Sequence, residues 1–203
     1  PQIDDIILSG GDPLSLSNTR VTDLLAALKR PNRILRIGTR HPTTLPQRIT
    51  PELCSILQQH APIYIMTHFN HPKECTSEAA KALSRLADAG CVLSNQTVLL
   101  KGINDNAQTL QTLNKWLLYN RCRPYRLFHC DYTQGVGHFR VPMDEGLKII
   151  QEMRGHSSGL EIPEYVIDLP NGLGKVPVAE GVSIENGLWE FTTWSGEQVL
   201  IRE

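Results

Sequence analysis

Short apolar runs and amphipathic stretches alternate along this chain with a period of roughly thirty residues. The first run, Asp4 to Leu8, reads as a strand that ends in Ser9-Gly10-Gly11-Asp12-Pro13. Apolar positions Val21, Leu24, Leu25 and Leu28 predict a helix closed by Arg30-Pro31. Ile34 to Gly38 predicts a second strand. Thr50 as cap and Pro51 as first helical residue then open a helix with Leu53, Ile56 and Leu57 on one face. A strand over Ile63 to Met66 and a helix from Thr76 to a stop at Gly90 follow. Further strands are expected over 91–100, 125–130 and 165–167, with helices over 107–118 and 142–153. Alternation of this kind predicts βα units around a parallel sheet, hence an α/β fold. Residues 181–203 differ: Asn186-Gly187 lies between alternating runs and a second turn falls at Ser195-Gly196, which predicts a short antiparallel appendage. The expected division is a βα portion over 1–178 and a C-terminal β appendage over 179–203.

The composition permits a packed core and narrows the function. Of 203 residues, 40% are hydrophobic and 20% charged, and the net charge is -1. Such a balance argues against a polybasic nucleic-acid surface. The longest apolar run, Ala61 to Met66, is far short of the ~18 residues of a membrane span. The five cysteines, Cys54, Cys75, Cys91, Cys122 and Cys130, are too widely spaced for C-x2-C zinc or local iron–sulfur ligation. They fit reduced thiols in a cytoplasmic protein. The text opens on Pro1 and enters a core-like strand at once, so the expected context is the back part of a longer protein.

Polar groups gather after the predicted strands: Ser9 to Asp12, then Thr39-Arg40-His41, His68 to His71, Asn95-Gln96, Asp131 and Asp168. In parallel βα folds the carboxyl ends of strands form the ligand face. Gly10 and Gly11 let backbone groups approach a ligand, or simply make a tight turn. Pro170 to Lys175 fails as a nucleotide P-loop, because Leu169 and Val176 stand where Gly and Ser/Thr are required. What remains is one Lys on a flexible Gly-rich loop, a candidate Schiff-base group. Asp131 and Asp168 either hold a cation, with an ammonium as sensible occupant, or cap loops. His68, His71 and Cys75 fit no standard metal spacing, and Pro72 interrupts them.

These motifs together resemble the lysine 2,3-aminomutase family of radical S-adenosylmethionine enzymes. The matching text is Ser9 to Leu14, Ile37 to Arg40, Thr67 to Pro72, Asn95 to Asp105, His138 to Pro142, Arg154 to Gly159 and Asp168 to Lys175. The resemblance implies a partial (β/α)6 open barrel lacking its first strand. It implies that Ser9, Gly10, Gly11 and Asp12 hold the amino group of S-adenosylmethionine, with His68 and Gln96 near that cofactor. Lys175 matches the lysine that carries pyridoxal phosphate and is the catalytic candidate. Asp131 and Asp168 match the acids that grip the remote ammonium of a lysine substrate. The implied reaction is an isomerisation of L-lysine to β-lysine, begun by a radical from a [4Fe-4S] cluster and S-adenosylmethionine.

The family's cluster motif, C-x3-C-x2-C, lies upstream of the Ser-Gly-Gly-Asp strand. The expectation is therefore that this chain holds no metal and is inactive alone, and that the intact protein is a homo-oligomer acting on lysine, without nucleic-acid or membrane partners. Alternatives stay open: an inactive pyridoxal- or amine-binding remnant, a supplier of β-lysine for translation-factor modification, a glutamate-type aminomutase, or a conventional pyridoxal enzyme using only Lys175.

Overall fold

The computed structural model describes residues 3–203. The chain forms two compact units. One runs to Gln96 and includes Leu113–Arg123; the other comprises Thr97–Thr112 and Pro124–Glu203.

In the first unit, β1 (Asp5–Leu8), β2 (Ile34–Gly38), β3 (Tyr64–Thr67) and β4 (Val92–Val98) pair in parallel in chain order. The crossovers are α1 (Asn18–Leu28), a short α2 (His41–Thr44), α3 (Pro51–Gln59) and α4 (Ser77–Asp88). Each of the longer helices starts on a hydroxyl cap. Ser17, Thr50 and Thr76 accept from the amides of Arg20, Leu53 and Ala79 at 3.3, 3.3 and 3.1 Å. Helix α4 stops at Gly90, where the amide of Cys91 reaches back to the Leu86 carbonyl at 3.1 Å. The core joins Leu25, Ile37, Leu53, Leu57, Ile65, Leu83 and Leu86, all buried. Each such side chain contributes about 1.5–3 kcal/mol of hydrophobic stabilisation.

Strand β4, helix α5 (Ala107–Tyr119) and strand β5 (Cys122–Phe128) each contribute residues to both units. The second unit continues with α6 (Met143–Met153), β6 (Glu164–Leu169) and β7 (Gly174–Pro177). Strands β5 and β6 pair in parallel, whereas β6 and β7 are antiparallel. Last come β8 (Val182–Ile184), β9 (Leu188–Thr192) and β10 (Gln198–Arg202), an antiparallel sheet in the order β10-β9-β8. Leu127, Ile150, Met153, Ile167, Val178, Trp189 and Phe191 belong to the core of this second unit.

Two segments differ from the sequence expectation. Lys175 lies on strand β7, not on a flexible loop. Asn171 and Gly172, at φ of 60° and 74°, turn the chain back on β6 so that Lys175 pairs with Asp168. Pro177, which has no amide hydrogen to donate, is tolerated because β7 closes the order of its sheet. Strand β5 begins at Cys122 rather than Tyr125. Pro124 reads as a boundary, yet Cys122, Pro124 and Leu127 are buried while Arg123 and Tyr125 are exposed. No described helix is long and apolar enough to cross a membrane.

Candidate functional site

The first unit has a cavity of about 420 Å³ at the carboxyl ends of its strands, lined among others by Ser9, Gly11, Asp12, Thr39, His68 and Gln96. Gly10 belongs to the same turn. Gly10 and Gly11 adopt φ of +78° and +37°, and a Cβ on either would meet nothing within 4 Å. The requirement for glycine here is therefore conformational, not steric. Ser9, Gly11 and Asp12 of this turn line the cavity.

Asp12 builds the turn. Its carboxylate accepts from the Leu14 amide at 3.0 Å, the Thr39 hydroxyl at 2.8 Å and the Arg40 amide at 2.7 Å. His41 Nδ1 stands 2.9 Å from the same carboxylate. Burial pulls the Asp12 pKa upward, but the donors from Thr39, Arg40, Leu14 and His41 together outweigh it and leave it below the ordinary value. Asp12 thereby ties the end of β1 to the end of β2. Thr39 and Arg40 were visible in the sequence only as part of a motif. Their role follows from the parallel register that sets Leu8 beside Ile37.

Strand alternation separates Asn95 from Gln96. Asn95 is buried; its side-chain oxygen accepts from the Phe69 amide at 2.8 Å and its amide donates to the Phe69 carbonyl at 3.0 Å. It fixes the backbone beside His68, while Gln96 faces the cavity. The His68 pKa is lowered, first by burial and then by the Arg40 charge, so the ring stays neutral near pH 7. His71 does different work: its Nδ1 accepts from the Lys73 amide at 3.0 Å, capping a short turn.

The second unit brings Asp131, Asp168 and Lys175 together. Lys175 Nζ lies 2.8 Å from Asp168 Oδ2 and 5.8 Å from the centre of the Phe128 ring. Asp131 and Asp168 line a cavity of about 530 Å³ with Tyr132, Pro170 and Arg202. The Asp131 pKa is raised, mainly by burial and then by the Asp168 charge, with Lys175 pulling the other way. A half-buried carboxylate beside a second one is raised in this way, and a neighbouring cation offsets the rise. Phe128 and Arg202 escaped the sequence reading. Phe128 carried no polar signal, and Arg202 comes from the appendage, outside the strand-end pattern.

Among the described residues no three His, Cys, Asp or Glu side chains gather as metal ligands. They do not fit an iron–sulfur cluster. The Gly-rich turn before Lys175, with the Phe128 ring nearby, suits an aldehyde cofactor. The open peptide groups after β1 suit the amino-acid end of a nucleoside sulfonium.

Parallel strands joined by helical crossovers, with polar groups at the strands' carboxyl ends, define an α/β protein built from βα units. Over 79% of this chain and 97% of the other, the backbone resembles a domain of pyruvate-formate lyase-activating enzyme from Bacteroides vulgatus ATCC 8482, at a TM-score of 0.56 and 15% identity. The likeness is one of fold, and it bears out the expected α/β class, with an added C-terminal antiparallel sheet in this chain. In sequence, the family model described as Lysine-2,3-aminomutase matches residues 150–187. An L-lysine 2,3-aminomutase of Fusobacterium nucleatum is 49% identical over 180 residues, 88% of this chain and 42% of the relative. A glutamate 2,3-aminomutase of Clostridioides difficile is 39% identical over 206 residues, 100% of this chain and 49% of the relative. Over the matched residues, the chain is similar to the lysine 2,3-aminomutase family. It spans less than half the length of these two relatives.

Proposed function

We propose that this chain supplies the amine-gripping and cofactor-anchoring residues of an aminomutase that, as a whole protein, converts L-lysine to β-lysine. The carrying observation is the ammonium of Lys175 held 2.8 Å from Asp168, with Asp131 on the same cavity as Asp168. A pair of carboxylates attracts the remote ammonium of lysine and repels the side chain of glutamate. That charge logic favours lysine over glutamate, although relatives of both names resemble the chain.

In this reading Lys175 is the anchor for pyridoxal phosphate and the catalytic residue. Asp131 and Asp168 hold the far nitrogen of the substrate. Ser9, Gly10 and Gly11 present peptide groups to S-adenosylmethionine, and Asp12 acts through the shape of that turn, its carboxylate already being engaged. His68 and Gln96 complete the wall. When bound, S-adenosylmethionine would supply a radical on receiving one electron from a reductant outside the described residues, and pyridoxal phosphate a conjugated group that stabilises it. No step is assigned to a cluster, because the described residues do not fit one. The barrel portion over 1–178 and the appendage over 179–203 remain the proposed domains. Five free thiols suit a reducing, cytoplasmic setting. A homo-oligomer is carried over from the family resemblance.

The test uses the full-length protein. Lys175→Ala is expected to abolish the visible absorbance of lysine-bound pyridoxal; a band that persists removes Lys175 from its role. Asp168→Asn is expected to raise the KM for L-lysine about ten- to hundredfold while that band remains. Turnover of glutamate in preference to lysine would overturn the substrate assignment.

A further inference from the structure

The connection from β5 to α6 carries an arginine whose work the family resemblance leaves unassigned. Arg140 Nη2 donates to the Asp131 carbonyl at 3.1 Å, and its Nε approaches the Cys130 carbonyl at 3.4 Å. Its guanidinium carbon also lies 4.0 Å from the centre of the Tyr132 ring. One side chain thus touches three consecutive residues, 130–132.

The arm is fixed at its own root. The Phe139 carbonyl accepts from the Lys101 amide at 2.8 Å, and Val141 on the other side is 2% exposed. The segment it grips is fixed from below. Tyr132 packs against the His129 ring at 5.7 Å, and His129 Nδ1 lies 2.9 Å from the Tyr165 hydroxyl on β6. Tyr165 in turn fills the space above Gly146 of α6, where an added Cβ would come within 2.5 Å of the ring. Asp131 is therefore held between a β6 tyrosine and a guanidinium, both acting through its neighbours.

We infer that Arg140 is a positioning residue for the amine site: it sets the backbone of Cys130 and Asp131 so that the Asp131 carboxylate shares a cation with Asp168. This rests on the proposed role of Asp131. The hydrogen bonds go to the peptide oxygens of Cys130 and Asp131. Geometry, not charge, is the means. Lysine is no substitute, because an ammonium offers neither two fixed donors in a plane nor a flat face for Tyr132.

The experiment compares Arg140→Ala, Arg140→Lys, Asp131→Asn and the Arg140→Ala/Asp131→Asn pair in the full-length protein. The KM for L-lysine is followed together with pyridoxal binding by absorbance. Arg140→Ala is expected to raise the lysine KM about tenfold or more, with pyridoxal affinity unchanged within about twofold. Arg140→Lys should resemble the alanine variant. In the Asp131→Asn background, removal of Arg140 should add less than about twofold, since both changes disable one device. Multiplying effects, rescue by lysine, or an equal loss of pyridoxal binding would overturn the assignment. If Asp131→Asn leaves the lysine KM unchanged, the substrate reading itself fails. Amide exchange at residues 130–132 then decides for Arg140: acceleration in Arg140→Ala preserves the clamp, and unchanged protection removes it.

Discussion

Asp131 shows how one side chain is strained by the task proposed for it. Burial and the nearby Asp168 charge raise its pKa, and Lys175 offsets them only in part. A carboxylate whose folded pKa lies above its unfolded value weakens the native state once ionised. Asp131→Asn is therefore expected to raise the thermal midpoint of the cofactor-free protein at pH 7. The gain should vanish below about pH 4, where the unfolded carboxyl is also protonated. A lower midpoint in the variant would contradict this. Asp12 is the opposite case, a carboxylate held low by its donors, whose stabilising contribution is lost as pH falls through its folded pKa. Both aspartates stood out in the sequence as polar residues ending apolar runs. Their contrasting environments did not, since these depend on donors from Thr39 and Arg40 in one case and on Asp168 in the other.

At the scale of elements, the helices opening at Thr50-Pro51 and at Thr76 were readable because helix-start chemistry is local. The β6–β7 hairpin was not, because its turn uses a non-glycine residue, Asn171, at positive φ and its second strand ends in Pro177. The packing of α6 against β6 was equally hidden, since it depends on Tyr165 filling the space at Gly146. His129 belongs to that layer. Burial, and secondarily the Arg140 charge, push its pKa down to about 4. Between that value and the ordinary ~6.5 the unfolded chain binds a proton that the native one refuses, so stability falls as pH drops through this window. His129→Phe is expected to flatten the pH dependence of urea unfolding between pH 4 and 6.5. An unchanged slope would mean that other groups carry the acid sensitivity.

For the molecule as a whole, the alternating pattern foretold an α/β chain, with which the fold likeness agrees, and a separate small antiparallel sheet, which the strand order shows. Two compact units were not foreseen, because α5 and β5 are each continuous in sequence while contributing residues to both. The thiols offer a test at this scale. Burial pushes Cys75, Cys91 and Cys122 up to about 12, the first two aided by neighbouring charges. These thiols should resist a disulfide reagent at pH 7.5 in the folded protein and react promptly in urea. Rapid reaction of all the thiols without denaturant would show that the units open readily.

The pairing of Lys175 with Asp168 across antiparallel strands has a metric consequence. Because facing residues in a hairpin keep a set separation, the gap between the anchoring nitrogen and the acid is governed by backbone register rather than by side-chain choice. Adding a single residue between Pro170 and Leu173 would not lengthen that gap. It would turn the lysine to the reverse side of the ribbon, so the anchoring nitrogen and the acid would no longer meet.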